Sequence, residues 1–70
     1  MKKVIFQNRF GLDKLIGTAQ NEEDGIKIIE NFLFLYNYKA PYWRSWEEDG
    51  KKWYDVGSHT EFFYTQEIEQ

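Results

Sequence analysis

Asp55, Ser58 and His59 are the residues whose types could do chemistry together, since a carboxylate, a hydroxyl and an imidazole are the parts of a nucleophilic triad. Their spacing argues against it. Three residues around one tight reversal leave no separate group to orient the imidazole, and no strand-to-helix elbow supplies an oxyanion hole. Ser58 is expected to be a turn residue and His59 an exposed neighbour of Val56. One histidine, scattered carboxylates and no cysteine make neither a tetrahedral nor an EF-hand ligand pattern, so no metal is expected. The glycines are isolated and no phosphate-binding or dinucleotide loop is present, so no cofactor is expected either. The chain reads as a non-enzyme.

What remains is surface chemistry. Glu47, Glu48 and Asp49 form one acidic block, Glu22, Glu23 and Asp24 another, and Glu61, Glu67 and Glu69 lie toward the C-terminus. The block at 47–49 is a candidate contact for a basic surface on a host protein, with Trp43, Tyr54 and Phe63 as aromatic anchors and Glu61 beside them. Phe34 falls on the polar side of a helix and, beside Tyr38, could start a further contact patch. The alternative partner is single-stranded nucleic acid, its bases stacked on Trp43, Tyr54 and Phe63 with Lys51 and Lys52 nearby. A net charge of −3 and the interleaved Glu47 and Glu61 oppose nucleic acid as the partner. A third reading is an oligomerisation module, a homodimer with no separate ligand.

Tyr42 to Tyr64 must position these residues. Asp49-Gly50 suits a two-residue type I′ turn and Gly57-Ser58 a type II′ turn, so the stretch reads as a three-stranded antiparallel meander. The first turn sets Arg44 against Asp55, Trp46 against Trp53, Glu47 against Lys52 and Glu48 against Lys51. The second sets Trp53 against Phe62 and Tyr54 against Glu61. Ser58-His59-Thr60-Glu61 also fits a helix capping box, but the β-branched and aromatic run after it favours a strand. Tyr42, Trp46, Trp53, Phe62 and Tyr64 share one face. That face is expected to meet the helix, with Trp53 at the centre of the core. Trp43, Tyr54, Val56 and Phe63 share the other, expected to be the contact surface.

Before the meander, Lys2–Asn8 and Lys14–Ala19 read as a hairpin around Gly11, with Gly17 marking a bulge or a close backbone approach. Asn21 is a good N-cap, and the acidic triplet at 22–24 suits the positive end of a helix running to about Tyr36. Ile26, Ile29, Phe32, Leu33 and Tyr36 form its apolar stripe, widened by Ile28 and Leu35. The sum is one α+β domain of order ββαβββ, an antiparallel sheet packed on one helix. Seventy residues without a disulfide make a small core, for which 20% aromatic content compensates. No signal peptide or membrane-length apolar run is visible, so no membrane partner is expected and the cytoplasm is the expected setting.

Trp53 to Tyr64, WYDVGSHTEFFY, resembles the C-terminal stretch of small uncharacterised proteins encoded by bacteriophages and prophages of Gram-positive bacteria. The likeness covers about twelve of the seventy residues. It implies a phage accessory product acting in the host cytoplasm, of the kind that inhibits host machinery, including defence systems such as CRISPR effectors. It assigns no functional residue.

Overall fold

A computed structural model describes residues 1–68, so Glu69 lies outside the described residues. The elements are β1 (Lys2–Gln7), β2 (Asp13–Ala19), α1 (Glu22–Leu35), β3 (Arg44–Glu48), β4 (Lys51–Asp55) and β5 (Phe62–Glu67). The expected ββαβββ order holds, in one five-stranded antiparallel sheet of order β2-β1-β5-β4-β3. The last strand is therefore the central one. It joins the β1–β2 hairpin to the β3–β4 hairpin.

Local chemistry explains the ends of α1. The Asn21 side chain accepts the Asp24 N–H at 2.9 Å, satisfying one orphan donor of the first turn. Ile29, Phe32 and Leu33 are buried. Leu35 and Tyr36 are exposed, so the apolar stripe stops short of its expected end. Gly17 has both roles its position suggested. It follows a register shift in the β1–β2 pairing, and a Cβ there would lie 3.1 Å from Ile28 Cγ2.

The β3–β4 register is the expected one, Trp46 opposite Trp53 and Arg44 opposite Asp55, around a turn with φ of 54° at Asp49 and 74° at Gly50. The β4–β5 register is not. Trp53 faces Tyr64 and Tyr54 faces Phe63, a slip of two residues from the expected pairing. A six-residue loop, Val56 to Glu61, replaces the two-residue turn at Gly57-Ser58. Side chains hold this loop open: Asp55 accepts the Gly57 N–H at 2.9 Å, and Ser58 Oγ accepts the Glu61 N–H at 2.7 Å. The capping box thus forms its local bond, and a strand follows.

A slip of two preserves which residues share a face. The side taken by the helix is the reverse of that expected. Tyr54, Val56 and Phe63 are buried under α1 together with Val4, Phe6, Ile29, Phe32 and Leu33. Phe63 is the hub, its ring 5.2 Å from Phe6 and 5.5 Å from Phe32 between centroids. The physical reason is room. A Cβ on Gly25 of α1 would meet Thr65 at 3.3 Å and Ala19 at 3.8 Å. Gly17, Ala19 and Thr65 form a shallow floor on that face, and the opposite face has two tryptophans that would hold a helix off.

Gly57 has φ of +99°, and an added Cβ would come within 2.6 Å of Pro41 Cγ. Gly57→Ala is therefore expected to cost about 1–3 kcal/mol from backbone strain, with the clash added. Gly50→Ala, with nothing within 4 Å, incurs only the left-handed backbone penalty of about 1–2 kcal/mol. Denaturant midpoints of the two variants check this, and a smaller loss at Gly57 than at Gly50 would refute it.

Candidate functional site

The face left open by the helix carries a cluster of aromatic rings. Trp46 and Trp53, opposite each other on β3 and β4, lie with ring centroids 6.4 Å apart and planes within 10°. Phe62, at the start of β5, stands nearly perpendicular to both, at 6.2 Å from Trp46 and 6.4 Å from Trp53. With Gln7 and Glu48 these rings line a shallow concavity of about 220 Å³. All three are half-buried, supported from below by the strands and open above.

The row continues to Tyr64, whose ring lies 4.8 Å from Trp53 and whose hydroxyl donates to Asp13 Oδ2 at 2.7 Å. Tyr64 pairs with Ile5 in the register, and Ile5 is buried although it belongs to the open face. Burial and the bond to Asp13 push the Tyr64 hydroxyl up to about 12. The Tyr64 hydroxyl in turn holds the Asp13 carboxyl below its usual range.

Cations sit on the same rings. Lys51 Nζ is 4.6 Å from the Tyr64 centroid and 5.7 Å from that of Trp53, and Arg44 Cζ is 5.9 Å from that of Trp46. Arg44 also bonds Asp55 at 2.7 Å, where Asp55 is 1% exposed. Burial would raise the Asp55 pKa. The Arg44 hydrogen bond, the Gly57 N–H and the Arg44 charge outweigh it, and the carboxyl is held below its ordinary value.

The expected Glu47–Lys52 and Glu48–Lys51 ion pairs do not form, although the register puts the residues opposite. Lys52 turns under the sheet to Glu22 at 3.2 Å, beside the Tyr54 hydroxyl, which donates to the same carboxylate at 3.1 Å. Lys52, then Tyr54, depress the Glu22 carboxyl. Lys51 is taken by the aromatic rings. Among the described residues no cation lies within 4 Å of the Glu47, Glu48 or Asp49 carboxylates.

The residues singled out in the sequence separate accordingly. Glu47, Glu48 and Asp49 stand at the exposed turn, and Glu48 joins the concavity. Tyr54 and Phe63, 3% and 2% exposed, are core residues and cannot anchor a partner. Trp43 packs edge-on against Tyr54, away from the open face. Glu61 is half-buried in the β4–β5 loop. Phe34 is 83% exposed on the outer side of α1, on the far side of the sheet from the rings. Asp55 and Ser58 are engaged in the loop bonds described above, and His59 is exposed with φ of 69°. Trp46, Trp53 and Phe62 were visible as an aligned row, but bulk alone assigned them to the core. The small residues Gly17, Ala19 and Thr65, all on the other face, were the signal that could have placed them outside.

A larger groove of about 470 Å³ runs between β2 and α1. Its two lysines are drawn to Tyr36 and Glu23, and no carboxylate lines it. Among the described residues no helix is long and apolar enough to cross a membrane. Comparisons with protein-family models, curated proteins and solved structures find no match.

Proposed function

We propose that this chain is a non-enzymatic binding protein whose working surface is the Trp46–Trp53–Phe62 concavity together with the acidic β3–β4 turn. Its partner is a basic surface on another protein. The observation that carries this reading is the Glu48 carboxylate on the wall of an aromatic concavity, with no cation within 4 Å of it among the described residues. Asp49 follows it in the turn, and Glu47 extends the acidic block onto the other face of β3. Tryptophan faces attract guanidinium and ammonium groups, and a nearby carboxylate adds charge pairing. Occupying a basic groove in this way is how a small acidic protein inhibits a larger one, the role implied by the phage-like C-terminal stretch.

Single-stranded nucleic acid is the second reading, favoured by Arg44 and Lys51 on the same rings. Charge reversal separates the two. An arginine-rich peptide titrated into the protein is expected to change tryptophan fluorescence, with affinity falling as salt is added. Trp46→Ala removes one wall and is expected to weaken peptide binding by about tenfold, a typical anchor loss of 1–2 kcal/mol. Reversing Glu47, Glu48 and Asp49 to lysine is expected to abolish peptide binding while leaving the fold intact. If the triple variant instead binds a single-stranded oligonucleotide more tightly than the wild type binds either probe, and the wild type ignores the peptide, the nucleic-acid reading replaces the first.

A further inference from the structure

The outer edge of β3 fits a second copy of itself. β3 ends the sheet, so one side of its backbone has no strand partner. Which groups point outward follows from the turn. In a two-residue hairpin the flanking pair, Glu48 and Lys51, exchanges hydrogen bonds, and bonded and non-bonded pairs then alternate. Trp46–Trp53 and Arg44–Asp55 are bonded pairs, so the N–H and C=O groups of Ser45 and Glu47 face outward. Among the described residues no loop or side-chain hydrogen bond reaches them. The β3–β4 register has no bulge, whereas the other sheet edge, β2, lies beside the register shift near Gly17. A bulge blunts an edge against pairing, and β3 lacks that protection.

We propose that two copies pair antiparallel along β3 about a two-fold axis at Trp46, forming one ten-stranded sheet. This register sets Ser45 against Glu47 of the second copy, and Arg44 against Glu48 of the second copy. Backbone parity permits this register, and the side chains select it. The outward backbone groups of Ser45 and Glu47 meet each other, giving four hydrogen bonds across the axis. Arg44, whose Nη2 stays on Asp55 while the rest of its guanidinium is exposed, presents its remaining N–H groups to the Glu48 carboxylate of the second copy, once on each side of the axis. Trp46 meets its own symmetry mate on the open face at a close, non-bonded pair, where side chains interact most. A shift of two residues toward the turn opposes Glu47 to itself, and the reverse shift separates Arg44 from Glu48. An axis perpendicular to the sheet keeps both helices on one side and both aromatic concavities on the other.

This goes beyond the proposed function, since each concavity remains open in the pair. Glu48 is shared, so a basic ligand and the second copy compete for it. A single strand edge buries less than the roughly 1,200–2,000 Å² of a stable interface, so a weak, concentration-dependent dimer is expected rather than a permanent one.

Sedimentation of the wild type is expected to show the mass rising from monomer toward dimer across the micromolar to millimolar range. Glu48→Arg sets like charges together at both symmetric contacts and is expected to weaken the dimer by more than about tenfold, with unchanged circular dichroism. The chain has no cysteine, which permits a register test. Trp46→Cys is expected to form a disulfide-linked dimer under mild oxidation, because a non-bonded antiparallel pair brings the Cα atoms within disulfide range. Ser45→Cys is expected to cross-link much more slowly. A monomer at every concentration overturns the proposal whatever the cysteine variants do. So does a dimer indifferent to Glu48→Arg, or faster cross-linking through position 45.

Discussion

Phe63→Ala is expected to leave the chain without a cooperative thermal transition. Phe63 is 2% exposed and touches the rings of Phe6 and Phe32, so it ties β5, β1 and α1 into one core. Truncating a buried phenylalanine costs about 3–5 kcal/mol. A domain this short lies near the low end of the usual 5–15 kcal/mol, so the loss approaches the whole stability. Trp46→Ala is the matched control. Its ring is half-buried on the open face, and the variant is expected to keep a sharp transition with a lowered midpoint. Calorimetry of both proteins decides the matter. If Trp46→Ala unfolds and Phe63→Ala does not, the helix covers the other face.

The second large effect is a change in pH dependence. Arg44→Met keeps the apolar stem and removes the charge facing buried Asp55. Removing Arg44 leaves the Asp55 carboxylate buried without its counter-charge and is expected to lower stability at neutral pH, by less than for a fully buried pair because Arg44 is open to solvent. The folded-state pKa of Asp55 lies below its unfolded value of about 3.9. The contribution of the pair is therefore fully present above that value and is lost as pH falls through the folded pKa. Wild type and variant are expected to differ most at neutral pH and to converge toward strong acid. Asp13 and Glu22 are depressed in the same sense and remain in both proteins, so the difference isolates Asp55. Denaturant midpoints at several pH values test it, and a gap that stays constant down to strong acid would count against the account.

Much of the fold was legible because it is decided locally. Asn21 and the acidic triplet announce the start of the helix, and Asp49-Gly50 sets the β3–β4 register residue by residue. The side on which the helix lies is decided by tertiary packing. Both faces of the meander are aromatic, and only the small residues of β2 and β5, brought together across the sheet, admit a helix. The same gap explains the site. The acidic turn was legible as an exposed charge cluster. Tyr54 and Phe63 were assigned to the surface and Trp46, Trp53 and Phe62 to the core because one two-fold choice of face went the other way. The loop from Val56 to Glu61 was hidden for a related reason. Gly57-Ser58 satisfies the rules for a tight turn, and the competing demand comes from the Asp55 and Ser58 side chains, which take the Gly57 and Glu61 N–H groups and hold a longer loop.

The central place of β5 has a consequence for the order in which the chain can become a protein. Strands β1 to β4 and α1 all precede it, and they form two hairpins with no hydrogen bond between their strands until β5 enters between them. Synthesis therefore delivers the strand that unites the sheet last. Until then Val4, Phe6, Ile29 and Phe32 have no Phe63 to close on, and both edges that will flank β5 stand open to any other extended chain. Productive folding has to wait for sequence-distant pairing across nearly the whole length of the chain, the kind of contact that slows folding most. The chain is at its most aggregation-prone in the interval after β1 to β4 have been made and before β5 joins them.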